Sequence, residues 1–338
     1  MDSAPYLRYL IIGRLSRDFI LTPGGKAAID IPGGSLLYAA AGVGVWEHGI
    51  GLVGRVSEDY PQEWGERMTR AGLNVKGLRF LSEAFDMRAF YAYVDGEHCE
   101  TDNPVSHFAR LGLPFPKVLL GYAAPAPRID SRNTPSLLTV RYNDLPEDYL
   151  DASAAHLCPL DFLSHSLLPP ALRQGRVTTI TLDPAAGYMN PTYWDHLPSI
   201  VKGLSAFITD EEKLRSLFLG RSSDLWEMAE TIADYGCDVV VVRRGSQGQW
   251  LYEKSSHARW QVPEYPARIS DPTGAEHAFC GGFLTGYRST YNGLEGVLTG
   301  NISASLASEG TGPFYALDAM PGLARHRLEA LRAMVRKV

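Results

Sequence analysis

The stretch Ile269-Ser270-Asp271-Pro272-Thr273-Gly274-Ala275-Glu276-His277-Ala278-Phe279-Cys280-Gly281-Gly282-Phe283 concentrates more chemistry than any other part of the chain. A strand-like segment ends, a tight turn containing Gly274 follows, and a helical pattern begins at Ala275. The first N–H groups of a helix lack internal partners and sit at the positive end of its dipole, so this turn is a candidate anion site. Glu276 and His277 add a carboxylate and an imidazole side by side. A neutral imidazole, with an ordinary pKa near 6.5, is a competent general base. Gly281-Gly282 inside the helix costs roughly 1 kcal/mol per residue relative to alanine, which implies that a backbone or a ligand passes close by. An ordinary capped helix packed on a sheet is the competing reading of these residues.

Other familiar devices are missing. Gly13 is followed by Arg14-Leu15-Ser16, without the glycine spacing of a dinucleotide loop. Gly42-Val43-Gly44 lies inside a helical pattern and reads as close helix packing, and Gly25-Lys26-Ala27 lacks the Ser or Thr of a Walker A loop. The nine histidines are scattered and form no His-Glu-x-x-His. Cys99, Cys158, Cys237 and Cys280 lie far apart, so neither a disulfide framework nor a structural metal site is expected, and a reducing compartment is the default.

The elements that must position these groups alternate. Strands are predicted at Tyr6–Ile12, Asp18–Thr22, Ala27–Ile31, Ile50–Gly54, Arg88–Val94, Val118–Leu120, Val177–Leu182, Leu204–Ile208, Asp238–Arg243, Trp250–Tyr252, Trp260–Val262 and Ala267–Ile269. Helices are predicted at Leu36–Glu47, from Asp59 to Gly72, and at Pro191–Val201, Leu225–Tyr235, Ala275–Tyr287, Leu294–Ser308 and Leu323–Val335. The proline-rich segment Gly112–Leu145 reads as mostly irregular. This rhythm implies an α/β fold with a mostly parallel sheet covered on both faces. The early hairpins break the rhythm and suggest a small β-element folded over one edge.

The 338 residues are 45% hydrophobic and 21% charged, which excludes a disordered chain. A net charge of −6 without like-charge blocks argues against nucleic-acid or membrane partners. Met1–Pro5 lacks the features of a secretory signal, and the apolar run Leu36–Trp46 is too short to span a bilayer, so a cytoplasmic protein is expected.

The segment Asp271-Pro272-Thr273-Gly274-Ala275-Glu276-His277-Ala278-Phe279 with Gly281-Gly282-Phe283 resembles the signature of the PfkB (ribokinase-like) carbohydrate kinases, D-[TP]-x-G-A-G-D-x-F-x-x-G-F. Gly13-x-x-x-x-Asp18, Gly33-Gly34, Gly51-x-Val53-Gly54-x-x-x-x-Asp59, Asp183-Pro184 and Val240–Gly248 resemble further motifs of that family, in the same order. The resemblance implies a single three-layer α/β/α domain over residues 1–338, with a β-lid from about 18–34 and 86–108. It implies ATP-dependent phosphoryl transfer, with magnesium, to a hydroxymethyl group of a polyol, sugar or nucleoside. It places Asp18, Gly33 and Gly34 at the acceptor, Gly274, Ala275 and Glu276 at the anion hole, His277 at the position of the catalytic Asp, and Arg243, Gly245, Gly248 and Asn301 beside the nucleotide. Exposed lid edges would suit a homodimer.

The departures fall on the chemistry. Glu276 replaces the second signature Gly, and His277 replaces the Asp. The N-x-x-E motif is best matched by Asp210-Glu211-Glu212-Lys213, although a shift of one residue would pair Thr209 with Glu212. Tyr38 stands where sugar kinases often carry Asn. Four readings therefore stay open: an impaired kinase, a kinase retuned to use His277 as base, a non-catalytic sugar- or nucleotide-binding pseudokinase, and a different enzyme using Glu276 and His277 as an acid/base pair.

Overall fold

The structure, a computed structural model, describes residues 7–126, 128–320 and 322–337. Its strands are β1 (Tyr9–Ile12), β2 (Ser16–Leu21), β3 (Ala27–Gly33), β4 (Ile50–Ser57), β5 (Leu73–Leu81), β6 (Arg88–Tyr93), β7 (Cys99–Glu100), β8 (Ala154–Leu157), β9 (Thr179–Leu182), β10 (Ala206–Asp210), β11 (Val239–Arg243), β12 (Gln249–Glu253), β13 (Ala258–Val262) and β14 (Arg336–Lys337). Ten of them form one sheet in the order β14-β13-β12-β11-β10-β9-β8-β1-β4-β5. Pairing is parallel from β5 to β11 and antiparallel from β11 to β14. The other four form a separate sheet, β3-β2-β6-β7.

The strands of the large sheet are apolar on both faces because helices cover both. Leu10, Ile12, Phe207, Val240 and Val242 pack with the helices Phe162–Leu172 and Leu225–Asp234 on one side. Their chain neighbours face the other way: Tyr9 and Ile11 pack with helix Ser35–Gly44, and Ala206, Ile208, Val239 and Val241 with helices Ala275–Thr290 and Gly293–Ser308. Successive side chains of a strand point to opposite faces, so a continuous apolar run fills two helical layers at once. This is the three-layer α/β/α architecture. The helix–helix contacts explain two sequence features: a Cβ on Gly42 would lie 2.0 Å from the Ala278 carbonyl oxygen, and one on Gly281 would lie 1.9 Å from that of Ala39. Backbone, not ligand, approaches Gly281.

The small sheet divides its faces. Phe90 and Ala92 of β6 join Phe19, Leu21 and Phe108 in a separate apolar cluster under helix Pro104–Arg110. Tyr91 and Tyr93, the alternate residues, point away from it and into a cavity.

Two expectations are corrected. Val118–Leu120 is not a strand, because Lys117–Leu119 forms a 3-10 turn introduced by Pro116. Ala267–Ile269 pairs with no strand. Strands β5 and β8 and helices Phe162–Leu172 and Glu211–Leu217 escaped the sequence reading. Tyr6 of the first expected strand and the Met1–Pro5 segment lie outside the described residues. No helix among the described residues is long and apolar enough to cross a membrane.

Candidate active site

Parallel strands bring their C-terminal ends to one edge of a sheet, where open α/β folds place their ligands. Arg243 and Asp210 end β11 and β10 there, and Asp183 follows β9. The N-terminus of helix Ala275–Thr290 arrives at the same edge. A cavity of about 440 Å³ opens at that helix N-terminus, lined by Gly34 and Tyr38, by Tyr91, Tyr93 and Cys99 of the small sheet, by Gly245 and Ser246 after β11, and by Gly274, Glu276 and His277.

One end of the site is a floor of carboxylates. Asp18 is fully buried. Burial pushes its carboxyl up to about 7, against the Ser16 hydroxyl, and Asp271 adds repulsion. Ser16 donates to Asp18 Oδ1 at 2.5 Å, while Oδ2 has no partner. Gly33 makes this possible, since a Cβ there would lie 1.8 Å from that oxygen. Asp271 is also fully buried and its pKa is raised, chiefly by burial. The Thr273 N–H donates to its Oδ1 at 3.0 Å, and its Oδ2 again lacks a partner. The Tyr38 ring lies on the turn at Gly274, whose φ is 76° and whose Cβ would sit 2.1 Å from Tyr38 Cγ. His277 Nδ1 is likewise buried without a partner, while the Tyr38 hydroxyl faces Asp18 and helps to lower its pKa. Unpaired buried polar atoms are costly, and this group suits a ligand that donates hydroxyl hydrogens to carboxylates.

The other end is an ionic network. Arg243 donates to Asp183 Oδ2 at 2.9 Å and to the Glu276 carbonyl at 2.9 Å. Its guanidinium lies 3.7 Å from the Glu276 carboxylate. Lys213 reaches Asp183 Oδ1 at 3.2 Å and Asp210 Oδ2 at 2.8 Å. Burial would raise the Asp183 pKa, but Arg243 and Lys213 outweigh it and hold the carboxyl below its usual range. Glu276, half exposed, is opposed by burial but held low by His277, Arg243 and Lys213. His277 Nε2 lies 3.6 Å from Glu276 Oε1, and desolvation pushes the imidazole below its ordinary value despite that carboxylate.

Of the residues singled out from sequence, Gly34, Gly245, Gly274, Glu276 and His277 line the cavity, and Ala275 opens the helix. Asp18 and Gly33 stand behind the lining, one carboxylate deep. Gly248 shapes the turn into β12. Asn301 donates to Gln249 and to the Pro263 carbonyl, both at 2.8 Å, and accepts from the Tyr265 N–H at 2.9 Å. Its amide thus braces the 263–265 loop. Sequence reading missed Tyr91 and Tyr93 as site residues, and it placed Asp183 and Lys213 in motifs without foreseeing their ion pair. The alternation of Arg88–Val94 was the available signal for the tyrosines.

Residues 182–319 match the pfkB family of carbohydrate kinases. Over that part the chain is similar to this family. It is similar to the cytidine kinase of Thermococcus kodakarensis, with 27% identity over 289 residues, covering 83% of this chain and 88% of that protein. Its fold matches the aminoimidazole riboside kinase of Salmonella enterica, solved with aminoimidazole riboside and an ATP analogue, at a TM-score of 0.65 and 16% identity, covering 95% and 99% of the two chains. It also matches the fructokinase of Xylella fastidiosa with bound ATP, at a TM-score of 0.68 and 16% identity, covering 95% and 98%. The curated proteins it resembles are thus sugar and nucleoside kinases.

Magnesium, which the resemblance implies alongside ATP, meets an unsuitable donor set at Asp183 and Asp210. Both Asp183 oxygens and Asp210 Oδ2 already face Lys213 or Arg243. Asp210 Oδ1 accepts the Lys213 N–H at 2.7 Å. No group of three or more potential metal ligands occurs among the described residues.

Proposed function

We propose that this PfkB homologue binds a small polyhydroxylated molecule, a sugar, polyol or nucleoside, and that phosphoryl transfer from ATP at the other end of its cavity is impaired. The small sheet, from about 18–34 and 86–108, acts as a lid on a single domain, and its edge strands β3 and β7 are where a second copy would pair. The unpartnered Asp18 and Asp271 oxygens support the first half of this reading: they await hydroxyl donors, under a wall of Tyr91 and Tyr93.

One observation carries the second half. The Glu276 carboxylate stands at the helix N-terminus, beside an Arg243 whose charge is already spent on Asp183. At about 4 Å, a phosphate charge and this carboxylate repel by roughly 4 kcal/mol at an effective dielectric of 20. A second reading rests on His277, whose unpartnered Nδ1 and lowered pKa suit a neutral general base in a retuned kinase. Turnover decides between them. ATP consumption is measured against a panel of sugars and nucleosides for the native chain, Glu276→Gly, His277→Asp and the double variant. Only the double variant is expected to gain activity, since His277→Asp alone sets two carboxylates side by side. Native turnover at ordinary kinase rates of about 1–100 per second, with His277→Asp no faster, would establish the retuned kinase instead.

A further inference from the structure

Lys213 sits between two carboxylates as a bridging cation does. Its ammonium is 3.2 Å from Asp183 Oδ1 and 2.8 Å from Asp210 Oδ2. Arg243 covers the remaining Asp183 oxygen at 2.9 Å, and the Lys213 N–H covers the remaining Asp210 oxygen. The arrangement is anchored from several directions. Asp210 caps the helix Glu211–Leu217, on which Lys213 is the third residue. Asp183 is fully buried, and the Lys213 side chain is only 17% exposed. Two negative charges thus meet two positive ones, with no carboxylate oxygen left over for a metal. Burial opposes the ammonium, but Asp183 outweighs it and keeps Lys213 charged.

We propose that Lys213 is a built-in counter-ion that replaces a divalent cation in this centre, so that Asp183 and Asp210 hold neither Mg2+ nor Mn2+. The physical basis is exchange. A divalent ion must strip one or two carboxylates from their present donors, and Mg2+ is ordinarily held through just such carboxylates. Displacing Lys213 would leave an ammonium in a mostly buried pocket, and an unpaired buried charge is strongly unfavourable. The carboxylates outside this set are poor substitutes, since Glu212 is exposed without an ion pair and Glu276 is half exposed and tied to Arg243 and His277. The proposal stands whether or not phosphoryl transfer is impaired, because it concerns cation binding and not turnover.

The test is a Mn2+ titration of the full chain without nucleotide, followed by the paramagnetic resonance signal of the free ion. The native chain is expected to show no site tighter than about 1 mM, and Lys213→Met to acquire one at least about tenfold tighter, because Asp183 and Asp210 then regain an uncompensated charge. Lys213→Arg, which keeps the cation, is expected to behave as the native chain does. Circular dichroism checks each fold, and Lys213→Gln replaces the methionine variant if that does not fold. Native binding at about 0.1 mM or tighter, or a folded Lys213→Met that gains nothing, would overturn the proposal. The native titration alone is sufficient to overturn it.

Discussion

Replacing Arg243 by methionine uncovers one oxygen of a fully buried carboxylate. Arg243 supplies a 2.9 Å bond to Asp183 and another to the Glu276 carbonyl. Breaking one side of a buried pair costs about 3–5 kcal/mol, and Lys213, still 3.2 Å from Asp183, places this case at the lower end. At the usual unfolding entropy per residue, a chain of 338 residues loses about 0.7 kcal/mol of stability per degree near its midpoint. A loss of about 3 kcal/mol therefore lowers the melting temperature by roughly 4 °C. Asp183→Asn should cost a similar amount, because it leaves two cations facing an amide. The double variant removes both partners, so its cost should fall short of the sum by about 2 kcal/mol or more. Urea unfolding of the native chain and the three variants at pH 7.5, about 3.7 units above the ordinary Asp value, gives this coupling directly. Additivity within about 0.5 kcal/mol would refute the claim that the two groups neutralise one another.

Asp18, raised by burial to about 7, contributes stability below its unfolded value of 3.8 that is lost as pH rises through about 7. Asp18→Asn should accordingly raise the melting temperature at pH 8 and change it little at pH 4 (each about a unit or less from the folded or unfolded value), so an equal effect at both would contradict the burial argument. His156 and His165 run the other way, held down by burial at about 3 and about 4. Their stability is fully present above pH 6.5 or so and falls as the unfolded chain takes up protons that the native one refuses. In an Asp18→Asn background, which removes the opposing carboxyl, denaturant midpoints should drop steadily from about pH 6.5 toward about pH 4, and a flat profile would count against this. Gly274→Ala must place a Cβ 2.1 Å from Tyr38 Cγ at a φ of 76°. It should destabilise by at least about 2 kcal/mol in thermal unfolding, and a neutral result would mean that the Tyr38 ring does not rest on that turn.

The fold was legible because its strongest strands, such as Val239–Arg243, are apolar on consecutive residues and bounded by helical patterns. Shorter elements were not. β8 has four residues, and helix Phe162–Leu172 contains Pro169 and Pro170, which disguise its period. The anion turn could be read in advance from Gly274 and the helix that follows it. The ionic network could not, because Asp183, Lys213 and Arg243 come from three parallel segments joined only by the sheet order β9-β10-β11. Nor could the use of Asn301, two of whose three hydrogen bonds brace the 263–265 loop while the third reaches Gln249 of β12.

The central claim is that the Arg243 end of this cavity, where ATP was proposed to meet Glu276, is filled by the chain's own charges. Titration calorimetry of Mg-ATP into the native chain tests it most directly. The account predicts binding weaker than about 1 mM, because roughly 4 kcal/mol of repulsion from Glu276 is about a thousandfold in affinity. It further predicts that Glu276→Gly tightens the dissociation constant by at least about tenfold. Micromolar binding by the native chain, unchanged in Glu276→Gly, would contradict it.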